Sequence, residues 1–333
     1  MAEPRFLVVR LGSLGDIVHT FPAVAGLRET FSAAHIVWLT HPRWELLVRS
    51  SGLTSDIWAT ETRSLSSIGA IIKRIRAAEF TAAIDYQGLW KSAGFPLLAG
   101  VTRRIGFSSE TIREFGVPIL YTDRVRCATT HIADQNGELS LRAGARNGIG
   151  NCALRVPAEA ETSVQVYLRQ QGLERYIVLS PGGGWRSKCW PAARFGALAQ
   201  RIHRSLDLRC VVNHGPGEED LARDLCGAAG DARPLLYNGD LGELMAILKK
   251  SCCIVGGDTG PLHLGIALGT PAVAIFGPTD PARNGPYRSQ DIVLRAPGTA
   301  RDHTRRNETD ASMLAIDVDV VFAAVRRRIG ASR

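Results

Sequence analysis

The chain has 333 residues, with 40 Lys plus Arg against 32 Asp plus Glu and a net charge of +8. A composition of 45% hydrophobic and 22% charged residues excludes a disordered or fibrous chain, and no apolar run reaches the roughly 20 residues that span a bilayer. The length predicts two domains, since single cores stop growing at roughly 250 to 300 residues, while seven scattered cysteines exclude a disulfide framework and fit a reducing cytoplasm.

In chain order, the apolar run Phe6–Val9 reads as a strand, followed by a glycine-containing loop and a helix from Ile17 to about Thr30. HIVWLT (35–40) is a second strand, and the segment 64–80 has helical spacing before the apolar strand TAAIDYQG. A helix over Leu89–Leu98 and a short strand at RRIGF (103–107) follow. The same alternation restarts at YIVLS (176–180), with PGGGWRSK after it and a helix opening at Pro191. LRCVVNHG, a helix beginning near Gly217, the helix LGELMAILKKS and the strand CCIVGG come next. DTGPLHLGIALG then reads as a short helix and PAVAIFG as a strand. Two series of β-α units, joined by a polar, weakly patterned stretch around 143–170, predict an α/β chain of two doubly wound domains with a cleft between them.

Open parallel sheets bind ligands at the carboxyl ends of their strands, so three loops are the candidates for chemistry. In the first, Leu11–Asp16, Asp16 stands where a glycine loop becomes a helix. It is either a helix N-cap or a general base, with Gly15 and Ser13 beside it and His19 one turn on. The second, Pro181–Lys188, offers the backbone N–H groups of Gly183 and Gly184 as an anion nest, with Lys188 as a point charge suited to phosphate. Its spacing is not that of a P-loop. The third, Gly256–His263, sets Asp258, Thr259 and Gly260 at the start of a helix, where free N–H groups attract phosphate; His263 falls one turn later on the same face. No dinucleotide fingerprint, nucleophile elbow or zinc spacing is present. Asp317-Val318-Asp319 has a metal-binding pattern but sits where acids cap the last helix, so no metal or cofactor is expected. The basic excess fits phosphorylated substrates or an acidic membrane surface, and no recognition motif singles out nucleic acid.

The segments RLGSLGDIVHTFPAV (10–24) and DTGPLHLGIALGTPAVAIFGPTDPARNGPY (258–287), with IDYQGLWKSA, TIREFGVPILY and KCWP between them, resemble glycosyltransferase family 9, the lipopolysaccharide heptosyltransferases, and most of all the heptosyltransferase I pattern. The resemblance implies a GT-B architecture of two Rossmann-like domains facing a cleft. Residues 1–160 would bind the acceptor, 170–310 the nucleotide sugar, and 311–333 would form a helix crossing back to the N-terminal domain. It implies inverting transfer of L-glycero-D-manno-heptose from ADP-heptose to the Kdo sugar of Kdo-lipid A, by a cytoplasmic protein peripheral to the inner membrane. By matching position Asp16 is the base, Lys188 faces the donor phosphates, and Asp258, Thr259, Gly260 and His263 form the donor loop. Glu219, with Glu218 as second choice, matches a ribose-binding glutamate, and Ser13, Gly15, His19, Lys91 and Arg113 fall on the acceptor side. Gly183 and Gly184 replace hydroxyl residues of the pattern, a change that bears on donor choice. The alternatives are a family 9 enzyme with another heptose acceptor or nucleotide sugar, and a non-catalytic nucleotide or anionic-glycan binding protein.

Overall fold

A computed structural model describes residues 3–61, 64–112, 114–302, 304 and 308–331. The chain divides into two compact units, Met1–Arg155 and Val156–Arg333. In the first unit, β1 (Arg5–Val9), β2 (His35–Thr40), β3 (Asp56–Ala59), β4 (Ala82–Asp85), β5 (Arg104–Phe107) and β6 (Asp123–Val125) form one parallel sheet in the order β3-β2-β1-β4-β5-β6. In the second, β7 (Tyr176–Ser180), β8 (Arg209–Asn213), β9 (Leu235–Tyr237), β10 (Cys253–Gly257), β11 (Ala272–Phe276) and β12 (Ile292–Arg295) do the same in the order β12-β11-β10-β7-β8-β9. Both are doubly wound Rossmann-like sheets whose strand order reverses between the first and fourth strands. That switch point is where ligands bind.

The central strands are apolar on both faces because helices cover both. β1, β7, β10 and β11 are buried almost throughout. In the first unit Leu7, Val9, Val37 and Leu39 pack against Ile71, Ile75 and Phe95 of the flanking helices. In the second, Leu179, Val255 and Ile275 pack against Trp190, Phe195, Leu198 and Ile202.

Two expectations change. The helix expected from Ile17 is two, Leu14–Val18 and Phe21–Thr30, because Pro22 in the first turn of the second restarts the helix rather than continuing it. The stretch 143–170 contains the helix Ala158–Gln170; its buried stripe is only Val164 and Leu168, too narrow for the pattern to register. Polar contacts from Ser163 to Glu243 and from Lys249 to Glu161 hold it to the helix Leu241–Lys250. The last helix, Val318–Gly330, packs within the second unit. Its Val321, Phe322, Ala324 and Val325 join that unit's core. Arg328 Nε lies 3.1 Å from Asp291 Oδ1, and Arg288 holds the other oxygen of this buried carboxylate at 2.9 Å.

Candidate functional site

The loop after β1 is built around Arg10. Its backbone N–H donates to the Leu39 carbonyl at 3.1 Å, and its buried guanidinium donates to the Tyr86 carbonyl through Nη1 and pairs with Asp16 Oδ1 through Nη2 at 2.7 Å. Ser13, not Asp16, is the N-cap of the helix Leu14–Val18. Asp16 is the third helical residue, and its Oδ2 accepts from the Ser13 N–H at 3.1 Å and the Ser13 hydroxyl at 3.0 Å. The N-cap alternative for Asp16 is therefore corrected. Burial pushes its carboxyl up, but Arg10, the two Ser13 hydrogen bonds and His19 outweigh this and hold it below the usual carboxylate range. The side chain is still 47% exposed, so an ionised carboxylate faces solvent at the carboxyl end of β1. Gly15 is buried in this helix. The His19 ring meets that of His131 edge-on, 5.6 Å between centroids. Lys91 is exposed in the first turn of the helix Trp90–Leu98, after β4. Arg113 lies outside the described residues.

Arg10 and Asp85 carry more of this site's architecture than residue type alone suggested. Asp85, the last residue of β4, pairs in register with Val9. It is fully buried: Oδ1 accepts from the N–H groups of Gln87 (2.9 Å) and Gly88 (3.2 Å), and Oδ2 from the hydroxyls of Ser92 (2.8 Å) and Tyr121 (2.7 Å). Burial outweighs these four hydrogen bonds and pushes the carboxyl up. Gln87 in turn accepts from the Leu11 N–H at 2.7 Å, tying the β4 loop to the Asp16 loop. An acid closing an apolar strand before a glycine, IDYQG, was the available signal.

In the second unit Lys188 is buried. Its Nζ donates to the Asp258 carbonyl at 2.5 Å and lies 4.3 Å from the centroid of the Trp185 ring, a cation–π contact. Asp258, just after β10, receives His263 Nε2 on Oδ1 at 2.9 Å and Asn284 Nδ2 on Oδ2 at 3.4 Å. Burial raises its pKa, but the His263 hydrogen bond and charge, with Lys188 and Asn284, hold it far below the ordinary value. Thr259 is the N-cap of the helix Gly260–Ala267, and its buried Oγ1 makes no hydrogen bond among the described residues. The fold thus brings Lys188, Asp258, Thr259, Gly260 and His263 together at the β7–β10 switch point, with an ammonium and a helix N-terminus side by side. That combination suits a diphosphate.

The glycine loop departs from expectation. Gly183 N–H donates to Glu218 Oε1 at 3.0 Å and Gly215 N–H to Oε2 at 2.8 Å, so the Gly183 donor already holds a carboxylate rather than standing open in a nest. A Cβ on Gly182 would fall 2.1 Å from Glu218 Oε1, so only glycine admits this approach. Gly184 is exposed. Glu219 points into solvent in the first turn of the helix Glu219–Ala228 and accepts from the Gly217 N–H at 3.2 Å. Glu218, the second choice from sequence, is therefore the carboxylate seated against the Pro181–Lys188 loop. Asp317 occupies the N-cap position of the last helix and Asp319 pairs with Arg201.

Two doubly wound parallel sheets, with a phosphate-type site at one switch point and an ionised carboxylate at the other, fit the GT-B class of glycosyltransferases. The family model of glycosyltransferase family 9 (heptosyltransferase) matches residues 68–314, and the chain belongs to that family. Lipopolysaccharide heptosyltransferase 1 of Pseudomonas aeruginosa is 26% identical over 313 residues, covering 87% of this chain and 83% of that protein. The crystal structure of the glycosyl transferase family 9 from Veillonella parvula superposes with a TM-score of 0.86 at 20% identity, covering 99% of this chain and 98% of that one. An E. coli heptosyltransferase solved with ADP gives a TM-score of 0.73 at 23% identity, covering 98% and 99%.

Proposed function

We propose that this heptosyltransferase transfers L-glycero-D-manno-heptose from ADP-heptose, with inversion, to the Kdo sugar of Kdo-lipid A. The observation that carries the reading is the buried Thr259 hydroxyl, without a partner among the described residues, at a helix N-terminus next to the Lys188–Asp258 contact. Those donors match the two phosphates of an ADP-sugar, and the name of the ADP-bound relative supports the same nucleotide. Asp16 takes the proton of the acceptor hydroxyl as its oxygen attacks the anomeric carbon from the face opposite the nucleotide. The sugar–phosphate bond breaks, and the charge left on ADP is stabilised by Lys188 and the Gly260–Ala267 helix N-terminus, with no metal required for that role. Glu218 is the reading's ribose-side carboxylate. Gly15, Ser13, His19, Lys91 and Arg113 are assigned to the acceptor.

An acceptor bearing carboxylates and phosphates on a lipid anchor accounts for the arginine excess, and it puts the work at the cytoplasmic face of the inner membrane. No described helix is long and apolar enough to cross a membrane.

The test is direct: folded protein is incubated with ADP-heptose and Kdo-lipid A, and product is followed by mass spectrometry. Transfer with an inverted anomeric centre is expected. Absence of transfer overturns this substrate pair, and a thermal-shift panel of nucleotide sugars then identifies the donor. Stabilisation without turnover on any acceptor would favour a non-catalytic binding protein.

A further inference from the structure

Three large apolar side chains of the first unit stand in solvent next to one another. Phe115 is 98% exposed, Ile119 70% and Trp90 50%. They form one patch. The Trp90 ring lies on Gly116, where an added Cβ would be 3.0 Å from Trp90 Cζ2, and the Trp90 N–H donates to the Glu114 carboxylate at 2.8 Å. The Ile119 N–H donates to the Gly116 carbonyl at 3.1 Å, so the turn that presents Phe115 also presents Ile119. Beneath them Val117 and Tyr121 pack on Ala93, which anchors the turn to the helix Trp90–Leu98. Tyr121 is anchored again through its hydroxyl to Asp85. The apolar tips are thus held out by a buried base.

Cations flank the patch. Lys91 follows Trp90 and is exposed, and Arg124 and Arg126 are exposed on and just after β6, beside the base of the same excursion. The nearby acids are already engaged: Glu114 by the Trp90 N–H, and Glu110 by the Ser108 hydroxyl with Arg126 3.9 Å away. Trp90 follows β4 and Phe115 follows β5, so the patch lies at the carboxyl edge of the sheet, the edge on which Asp16 follows β1.

We infer that Trp90, Phe115 and Ile119, flanked by Lys91, Arg124 and Arg126, are the surface by which this unit docks onto an anionic phospholipid bilayer. An indole, a phenyl and a branched aliphatic group ringed by cations is the composition that enters the headgroup–acyl boundary, where the apolar tips leave water and the cations meet lipid phosphates. The inference rests on the lipid-anchored acceptor proposed above: docking by this edge would bring that acceptor's sugars to the side of the sheet that carries Asp16.

The test is co-sedimentation of the full chain with phosphatidylethanolamine–phosphatidylglycerol vesicles free of any acceptor, against pure phosphatidylcholine, comparing wild type with F115S/I119S. Binding to the anionic vesicles, weakened at least about tenfold in the variant and reduced by added salt, is expected. Equal binding of the variant, or no binding by the wild type, overturns the proposal. So does self-association of the wild type without vesicles that the variant abolishes, since a second copy would then own the patch. A thermal melt establishes that the variant is folded. Transfer to a deacylated, water-dispersed acceptor reads the chemistry separately: it should match wild type in F115S/I119S, whereas its absence in both proteins would condemn the substrate assignment and leave the vesicle result standing.

Discussion

His263 Nε2 lies 2.9 Å from Asp258 Oδ1, both side chains buried, and this contact is the main reason the Asp258 carboxyl, despite burial, stays far below its ordinary pKa. A carboxyl depressed in the folded state adds stability that is present above its unfolded pKa of about 3.9 and is lost as pH falls through the folded value. His263→Ala should therefore move the acid-unfolding midpoint to higher pH, and lower stability near neutrality by about 1–3 kcal/mol because it leaves a buried acceptor short of a donor. Urea titrations across the acid range check both.

Asp16→Asn should lower kcat by a factor of about 10² to 10⁴, the usual contribution of a general base. ADP affinity, measured by calorimetry, should stay within about twofold, because Asp16 belongs to the other unit from Lys188 and Thr259. An equal collapse of ADP binding would point to a structural role for Asp16.

Arg10 acts through Asp16. With its guanidinium 2.7 Å away, the carboxylate is ionised well into acid. Arg10→Met removes that charge, so the Asp16 pKa rises and the acid limb of kcat/KM shifts to higher pH, while Arg10→Lys keeps the limb close to wild type. A loss of rate with no movement of the limb would leave Arg10 a purely structural residue.

Asp85 has the opposite sign. Its folded pKa is raised, so the folded state holds the proton more tightly and stability declines as pH rises from about 3.9 through the folded value. Asp85→Asn removes the charge while an amide oxygen still accepts from Gln87 and Gly88. The difference in unfolding free energy between wild type and variant should change in the variant's favour over that window. A difference independent of pH would contradict the assignment.

Gly106→Ala would put a Cβ 2.4 Å from the Tyr121 ring, which is packed in the core and bonded to Asp85. The expected cost is about 1–3 kcal/mol of overpacking, measured by denaturant unfolding.

Much of this was legible in the residues. HIVWLT and YIVLS are strands over those residues, because a parallel strand covered on both faces must be apolar throughout. Asp16, Lys188 and Asp258–His263 stand out in the sequence because switch-point chemistry sits in loops after strands, and the structure places them in such loops. What escaped was whatever depends on partners distant in sequence. The short edge strands β3, β6, β9 and β12 bury too little to leave a pattern. The roles of Arg10 and Asp85 depend on Asp16, Tyr86 and Tyr121, which only folding supplies. The choice between Glu218 and Glu219 turned on one residue of helix phase at an N-terminus, finer than periodicity resolves.

The two sheets share a strand order, so positions in one have counterparts in the other: Asp85 closing the fourth strand of the first corresponds to Asp258 just beyond the fourth strand of the second. A buried acid at the same corner braces backbone in one module and orders a ligand-type site in the other. Each unit has its own core and its own switch-point loops, so, if acceptor and donor are divided between them as proposed, chimeras joined at the Arg155–Val156 seam should exchange one preference without the other.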